Sequence, residues 1–193
     1  MKKLSAGLLA FVFGMAANSV VLADDKAAYL GLSYYSMNHK LGDDLSNLAS
    51  VLDGDEEYNS NDLMLRLGGH VTPWLATELR VGRTVPKEEL DGAEFYHRYI
   101  GGVYLKLGME AGPLYPYLLG GYTRGKGVIK MDDGDNIEGM FREFSYGAGL
   151  DFDITDSIGV NIEYVHIYDA DAYDAGVDNV RLSGVGAGLY WRF

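Results

Sequence analysis

The chain has 193 residues, and its 28 Asp and Glu residues outnumber its 16 Lys and Arg residues, which leaves a formal net charge of −12. This balance argues against nucleic acid as a partner, because phosphate binding needs a basic surface. The sequence contains no cysteine, so disulfides are excluded as a source of its stability.

The first predicted element is a signal peptide. Two lysines precede an apolar stretch from Leu4 to Leu22, and Ala23 stands directly before two aspartates. A basic start, an apolar stretch and a small residue at the cleavage site are typical of a secretory signal. A retained transmembrane helix is the alternative that the length alone would allow. We predict a signal peptide over residues 1–23 and one exported domain over residues 24–193.

The exported part consists of segments with period-two alternation, separated by turn residues. None of its apolar runs reaches the roughly 18 residues that a spanning helix needs. The segments are close to the roughly 9–11 residues with which a tilted strand crosses a bilayer. We predict strands near Ala27–Ser36, Asp62–Val71, Leu75–Thr84, Phe95–Leu107, Tyr115–Thr123, Glu143–Ile154, Ile158–Ile167 and Val180–Phe193.

The connections between these segments alternate in length, as they do in outer-membrane barrels. The fold predicted is all-β: an eight-stranded antiparallel up-and-down transmembrane β-barrel, with both termini on the periplasmic side. The short connections are Thr72–Trp74, Gly108–Leu114 and Thr155–Ser157, and the long ones are Met37–Asn61, Val85–Glu94, Arg124–Arg142 and Tyr168–Asn179.

Within the strands, the charged residues occupy alternate positions of one parity, and the large apolar residues occupy the positions of the other parity. A basic residue on the lipid face costs about 2–4 kcal/mol at mid-bilayer, so the charged parity should face the lumen; Arg98 falls on that parity too. We predict a central salt-bridge cluster that plugs the lumen, with a gated ion path as the alternative. The predicted cluster is Arg66, Glu78, Arg80 and Glu163, and Lys106, Asp151 and Arg192 are predicted nearer the periplasmic end.

Aromatic residues group toward the two ends of the predicted strands. Such groups are typical of the girdles that lie at the two interfaces of a membrane barrel. The predicted girdle residues are Trp74, Tyr115 and Tyr117 at the periplasmic end, and Tyr34, Tyr99, Phe144 and Tyr164 toward the long loops.

The last strand alternates to its final residue, with Leu189, Trp191 and Phe193 on one face and Tyr190 and Arg192 on the other. Together with the signal peptide and the eight-strand pattern, this ending resembles the OmpA/OmpX-type small outer-membrane β-barrel family over the whole exported chain. The resemblance implies a non-enzymatic structural or surface protein of the cell outer membrane. It also implies that Trp191 and Phe193 carry the signal read by the barrel-assembly machinery.

Three alternatives compete with this function. A small pore or transporter would need a wet path past the central charges. A lipid-modifying enzyme would need a nucleophile beside a base, for which Glu163, His166 and Ser183 are a weak grouping because parity turns His166 toward lipid. A soluble lipocalin-like barrel would turn its apolar face inward. We expect no enzyme activity, no cofactor and a monomer, with outer-membrane lipids and lipopolysaccharide as its surroundings.

The long connections are rich in carboxylates. Runs of oxygen ligands can bind Ca²⁺ or Mg²⁺, but the spacing from Asp132 to Glu138 is not that of a full Ca²⁺ loop. We therefore expect a solvated, self-repelling surface and no metal site. The acidic residues are Asp53, Asp55, Glu56, Glu57, Asp132, Asp133, Asp135, Glu138, Asp169, Asp171, Asp174 and Asp178.

Overall fold

The computed structural model describes residues 28–40, 57–85, 94–130, 136–170 and 180–193. The predicted signal peptide and most of the acidic loop residues lie outside these ranges. The described residues form eight strands: β1 (Ala28–Lys40), β2 (Glu57–Thr72), β3 (Leu75–Thr84), β4 (Glu94–Gly108), β5 (Leu114–Lys130), β6 (Asn136–Asp153), β7 (Ile158–Ala170) and β8 (Val180–Arg192).

Each strand pairs antiparallel with its neighbours in sequence, and β1 pairs with β8, so the sheet is a closed barrel. The β1–β8 seam runs from the pair Tyr29 and Arg192 to the pair Lys40 and Arg181. Beyond it, the Phe193 amide donates a 2.9 Å hydrogen bond to the Ala28 carbonyl. Closure pairs the edges that would otherwise be open in lipid. The predicted fold class is confirmed.

The outer face is apolar and the inner face is polar. On β2, the side chain of Leu65 is 45% exposed, whereas the neighbouring Arg66 is 1% exposed. This distribution is the reverse of that in a soluble domain, in which charged residues are almost never fully buried. The soluble lipocalin-like alternative is therefore wrong. Within the described ranges, no helix has the length and apolarity to cross a membrane.

Strands β5 and β6 are longer than the sequence pattern predicted. They have 17 and 18 residues, and their pairing continues from Arg124 opposite Arg142 to Lys130 opposite Asn136. The connection predicted as a long loop is thus largely a two-stranded extension on the extracellular side. Glycine, charged and apolar residues are mixed along this extension, so its period-two pattern was too weak to assign as strand.

The predicted inward orientation of Arg98 is wrong. The β4–β5 register shifts between His97 and Tyr99, and one extra residue in a strand reverses the facing of all residues beyond it. The Arg98 side chain is 57% exposed on the outer face, and His97 is buried in the lumen instead.

Candidate functional site in the barrel lumen

The four residues predicted as a central cluster meet inside the barrel. Arg66 lies on β2, Glu78 and Arg80 on β3, and Glu163 on β7, and all four are buried. Arg66 and Arg80 are direct cross-strand partners. Two guanidinium groups placed side by side need carboxylates between them, and the two glutamates supply these.

The ion pairs of this cluster form a continuous chain. Arg66 donates from Nε to Glu78 Oε1 at 3.1 Å and from Nη2 to Oε2 at 2.8 Å. Arg80 donates from Nε to Glu78 and from Nη2 to Glu163 Oε2 at 2.8 Å. Two positive and two negative charges therefore alternate, and bidentate geometry compensates part of the desolvation.

Tyrosines complete the hydrogen bonding of the two carboxylates. Tyr35 and Tyr117 donate to Glu163 at 3.0 and 2.8 Å, and Tyr29 donates to Glu78. A buried ion pair is stable only when its remaining hydrogen-bonding capacity is satisfied. These tyrosines belong to the site, although the period-two pattern of the sequence does not indicate it.

The assignment of Tyr115 and Tyr117 to the outer aromatic girdle is wrong. Their side chains are 3% and 4% exposed and face the lumen, and the Lys106 ammonium lies 3.8 Å from the centre of the Tyr117 ring. Both faces of β5 are apolar, with Leu118 outside and Leu119 inside. Parity therefore gave no direction on this strand. The other predicted girdle residues are exposed on the outer face: Trp74, Tyr34, Tyr99, Phe144 and Tyr164.

A second polar layer lies nearer the periplasmic end. Lys106 donates from Nζ to Asp151 Oδ2 at 2.6 Å, and both residues are buried. Arg192, predicted in the same group, lies apart from them and is partly exposed. It donates from Nη1 to Asp153 Oδ2 at 2.8 Å, and Tyr190 donates to the same carboxylate at 2.6 Å.

A third polar layer, nearer the extracellular end, was missed in the sequence. His97 Nδ1 lies 2.8 Å from Asp62 Oδ2, and Thr84 donates to Asp62 Oδ1 at 2.6 Å. The β4 bulge turns His97 inward. No residue type near that position signals a bulge, so period two alone could not place this histidine.

The residues weighed as a catalytic grouping do not come together. Glu163 faces the lumen and pairs with Arg80, while His166 packs against Tyr146 with the ring centres 5.0 Å apart. Ser183 is the cross-strand partner of His166, so the barrel wall separates both from Glu163. In the parts of the chain that the structure describes, no three His, Cys, Asp or Glu residues are placed to hold a metal ion.

Comparison with known proteins places the chain among outer-membrane barrels. Residues 5–193 match the family model of the outer membrane protein beta-barrel domain. The chain is 31% identical over 102 residues to the 25 kDa outer-membrane immunogenic protein of Brucella abortus, a match that covers 52% of this chain and 47% of that protein. The chain thus spans about half the length of the curated relatives it matches.

Solved structures share the fold at low sequence identity. Neisserial surface protein A superposes with a TM-score of 0.67 at 14% identity, covering 86% of this chain and 97% of that chain. Ail, the attachment invasion locus protein of Yersinia pestis, gives a TM-score of 0.61 at 16% identity, covering 87% and 99%. Another structure of Ail contains the heparin analogue sucrose octasulfate. With its family model matched over almost the whole length, the chain belongs to the outer membrane protein β-barrel domain family and is an outer-membrane protein.

Proposed function

We propose that this protein is a non-conducting, non-enzymatic barrel with a structural or surface-interaction role in the outer membrane. The observation that supports this proposal is the central cluster, which spans the lumen at mid-height. Its members come from opposite sides of the wall, since β3 and β7 are joined across the axis by the Arg80–Glu163 pair. The interior of an eight-stranded barrel is just wide enough for side chains to fill.

An ion crossing the lumen would have to break this cluster. Separating one partner from a buried pair costs about 3–5 kcal/mol, because the other charge is left uncompensated. The Lys106–Asp151 pair and the Asp62–His97 pair lie in the lumen at two further heights. These three layers support a closed barrel over the pore or transporter alternative.

The absence of enzyme activity is supported by the separation of Glu163 from His166 and Ser183. The surface role is supported by the relatives: the Brucella protein is named as an immunogenic outer-membrane protein. In this proposal the barrel holds the extracellular connections at the cell surface, and neither ions nor solutes pass through its lumen.

Single-channel recording in planar bilayers tests the closed lumen. We expect the folded protein to give no conductance steps above the bare membrane. The Arg80→Ala/Glu163→Ala variant should conduct, because it empties the middle of the plug, whereas Lys126→Ala on the outer face should stay silent. Conductance steps from the unaltered protein would overturn the proposal, and so would release of acyl chains from labelled lipopolysaccharide.

A further inference from the structure

Basic residues collect on the outer face of one side of the barrel, near the extracellular ends of the strands. The side chains alternate with the lumen-facing residues described above, so they point away from the barrel axis. We call this group the basic belt; it consists of Arg83 on β3, Arg98 on β4, Arg124 and Lys126 on β5, and Arg142 on β6.

Within the residues that the structure describes, the basic belt is only partly neutralised. Arg98 and Lys126 share one carboxylate, that of Glu138, which lies 3.1 Å from Arg98 Nη2 and accepts a hydrogen bond from Lys126. Arg124 and Arg142 are direct cross-strand partners on the same face. Among the residues that the structure describes, no carboxylate pairs with either of them, and like charges placed directly opposite destabilise a sheet.

The belt lies at the height of lipid headgroups. Arg124 follows the exposed Tyr122 by two positions, and Arg142 precedes the exposed Phe144 by two. At ~3.3 Å per residue and a tilt of about 40°, two residues place each arginine about 5 Å beyond the aromatic girdle. The arginines therefore stand above the hydrocarbon and below the extracellular tips of β5 and β6.

We propose that the basic belt binds the phosphate groups of an outer-leaflet glycolipid, lipopolysaccharide, directly through its arginines. A guanidinium group presents two parallel N–H donors that match phosphate oxygens, and one phosphate between Arg124 and Arg142 would relieve their repulsion. Because the belt supplies its own positive charge, this contact needs no divalent cation. The inference does not depend on whether the lumen conducts.

The height of the belt favours a lipid over a soluble glycan. A sulfated polysaccharide approaching from outside would meet the extracellular strand tips first, whereas a lipid phosphate is already at the level of the arginines. The acidic net charge of −12 over the whole chain also repels soluble polyanions at long range. For a phosphate that is already held at the membrane surface, the local excess of arginine is sufficient for binding.

Native mass spectrometry of the folded, detergent-solubilised barrel tests the proposal, with diphosphorylated lipid A and its dephosphorylated form as probes in EDTA. We expect the unaltered protein to bind the phosphorylated probe more tightly, by on the order of tenfold or more if two arginines contribute. The Arg124→Gln/Arg142→Gln variant should lose that preference. Heat-modifiable mobility will show that it is folded.

The matched control is Arg181→Gln, which alters an exposed arginine on the outer face of β8, on the other side of the barrel. It should keep the preference for the phosphorylated probe. Equal binding of both probes by the unaltered protein would overturn the proposal without any variant. An equal loss of the preference in the Arg181→Gln control would also overturn it. A heparin fragment serves as a third, soluble probe. If the belt variant lost binding of this fragment but kept binding of lipid A, the proposal would be overturned as well.

Discussion

At the scale of single residues, Glu78 is a buried carboxylate that depends on several partners. Its carboxylate lies between the guanidinium groups of Arg66 and Arg80 and accepts a further hydrogen bond from Tyr29. All of these groups are buried, so the loss of one partner leaves a buried charge without compensation. The position is therefore one at which a small chemical change has a large effect.

We expect Glu78→Gln to lower the free energy of unfolding by about 3–5 kcal/mol, because it leaves two buried arginines with one carboxylate. Urea titration in phospholipid vesicles, followed by the fluorescence of Trp74 and Trp191, measures this change. Glu138→Gln is the matched control: it removes an ion-paired glutamate at the surface and should leave the titration unchanged. Equal effects of the two substitutions would contradict the prediction.

The inward charges could be predicted from the sequence, whereas the inward tyrosines could not. A charged side chain in lipid is so unfavourable that the positions of the charged residues show which face of a strand points to the lumen. This argument placed Arg66 and Glu163 correctly. Tyrosine has an apolar ring and a polar hydroxyl, so it suits both the membrane interface and a hydrogen-bonded lumen. Tyr115 and Tyr117 were assigned to the wrong face for this reason.

At the scale of elements, polar side-chain contacts link β5 and β6 in their extracellular extension. Lys126 on β5 and Glu138 on β6 join the two strands above the membrane, and Arg98 contributes from β4. The hydrogen bond from Lys126, assisted by the charge of Arg98, lowers the pKa of the Glu138 carboxyl below its ordinary value of 4.5.

The lowered pKa sets the direction of the pH dependence of this contact. The ion pair is fully present above the ordinary carboxyl pKa of 4.5 and is lost as the pH falls through the lower value of the folded state. Carbon NMR of the Glu138 carboxyl should give a midpoint below 4.5, and Lys126→Gln should raise it. A midpoint at or above 4.5 would contradict this prediction.

The β6–β7 interface requires a residue without a side chain at Gly147. A Cβ atom there would overlap the carbonyl oxygen of Tyr164 and lie 3.1 Å from Val165 Cα. Backbone atoms cannot yield as a flexible side chain can, so Gly147→Ala should destabilise the barrel by about 1–3 kcal/mol. The vesicle titration measures this change.

Gly120→Ala provides the comparison for that substitution. The new Cβ would meet only Phe144 Cζ at 3.9 Å, which is an ordinary contact. This variant should be as stable as the unaltered protein or slightly more stable, since alanine restricts the unfolded chain. If both glycine variants lost the same stability, strand propensity rather than close packing would explain the effect.

The bulge in β4 shows where element-level prediction from sequence stops. Strand order, strand number and the short periplasmic turns follow from patterns that repeat along the chain. The bulge between His97 and Tyr99 is a single local feature. Because of it, Arg98 faces outward and His97 faces the lumen, which is the reverse of what period two predicts. The extracellular layer of the lumen and one member of the basic belt both depend on it.

At the scale of the whole molecule, the barrel is completed by one strand whose outer face ends in two aromatic rings. Trp191 and Phe193 are exposed on the outer face with their ring centres 5.1 Å apart. We expect Phe193→Ala to slow assembly severalfold in vesicles that contain the assembly machinery, as judged by heat-modifiable mobility over time. Phe152→Ala, another exposed aromatic residue at the periplasmic end, should assemble at the normal rate.

The hydrogen bond between the Phe193 amide and the Ala28 carbonyl holds the residue after β8 beside the first residue of β1. The order of strands around the wall is the order along the chain, and the seam is an antiparallel pairing like the other junctions. A circularly permuted chain, joined from Phe193 to Ala28 by a short linker and opened between Thr72 and Leu75, would keep every strand pairing. In the closed sheet, no strand is distinguished as the first by its pairing.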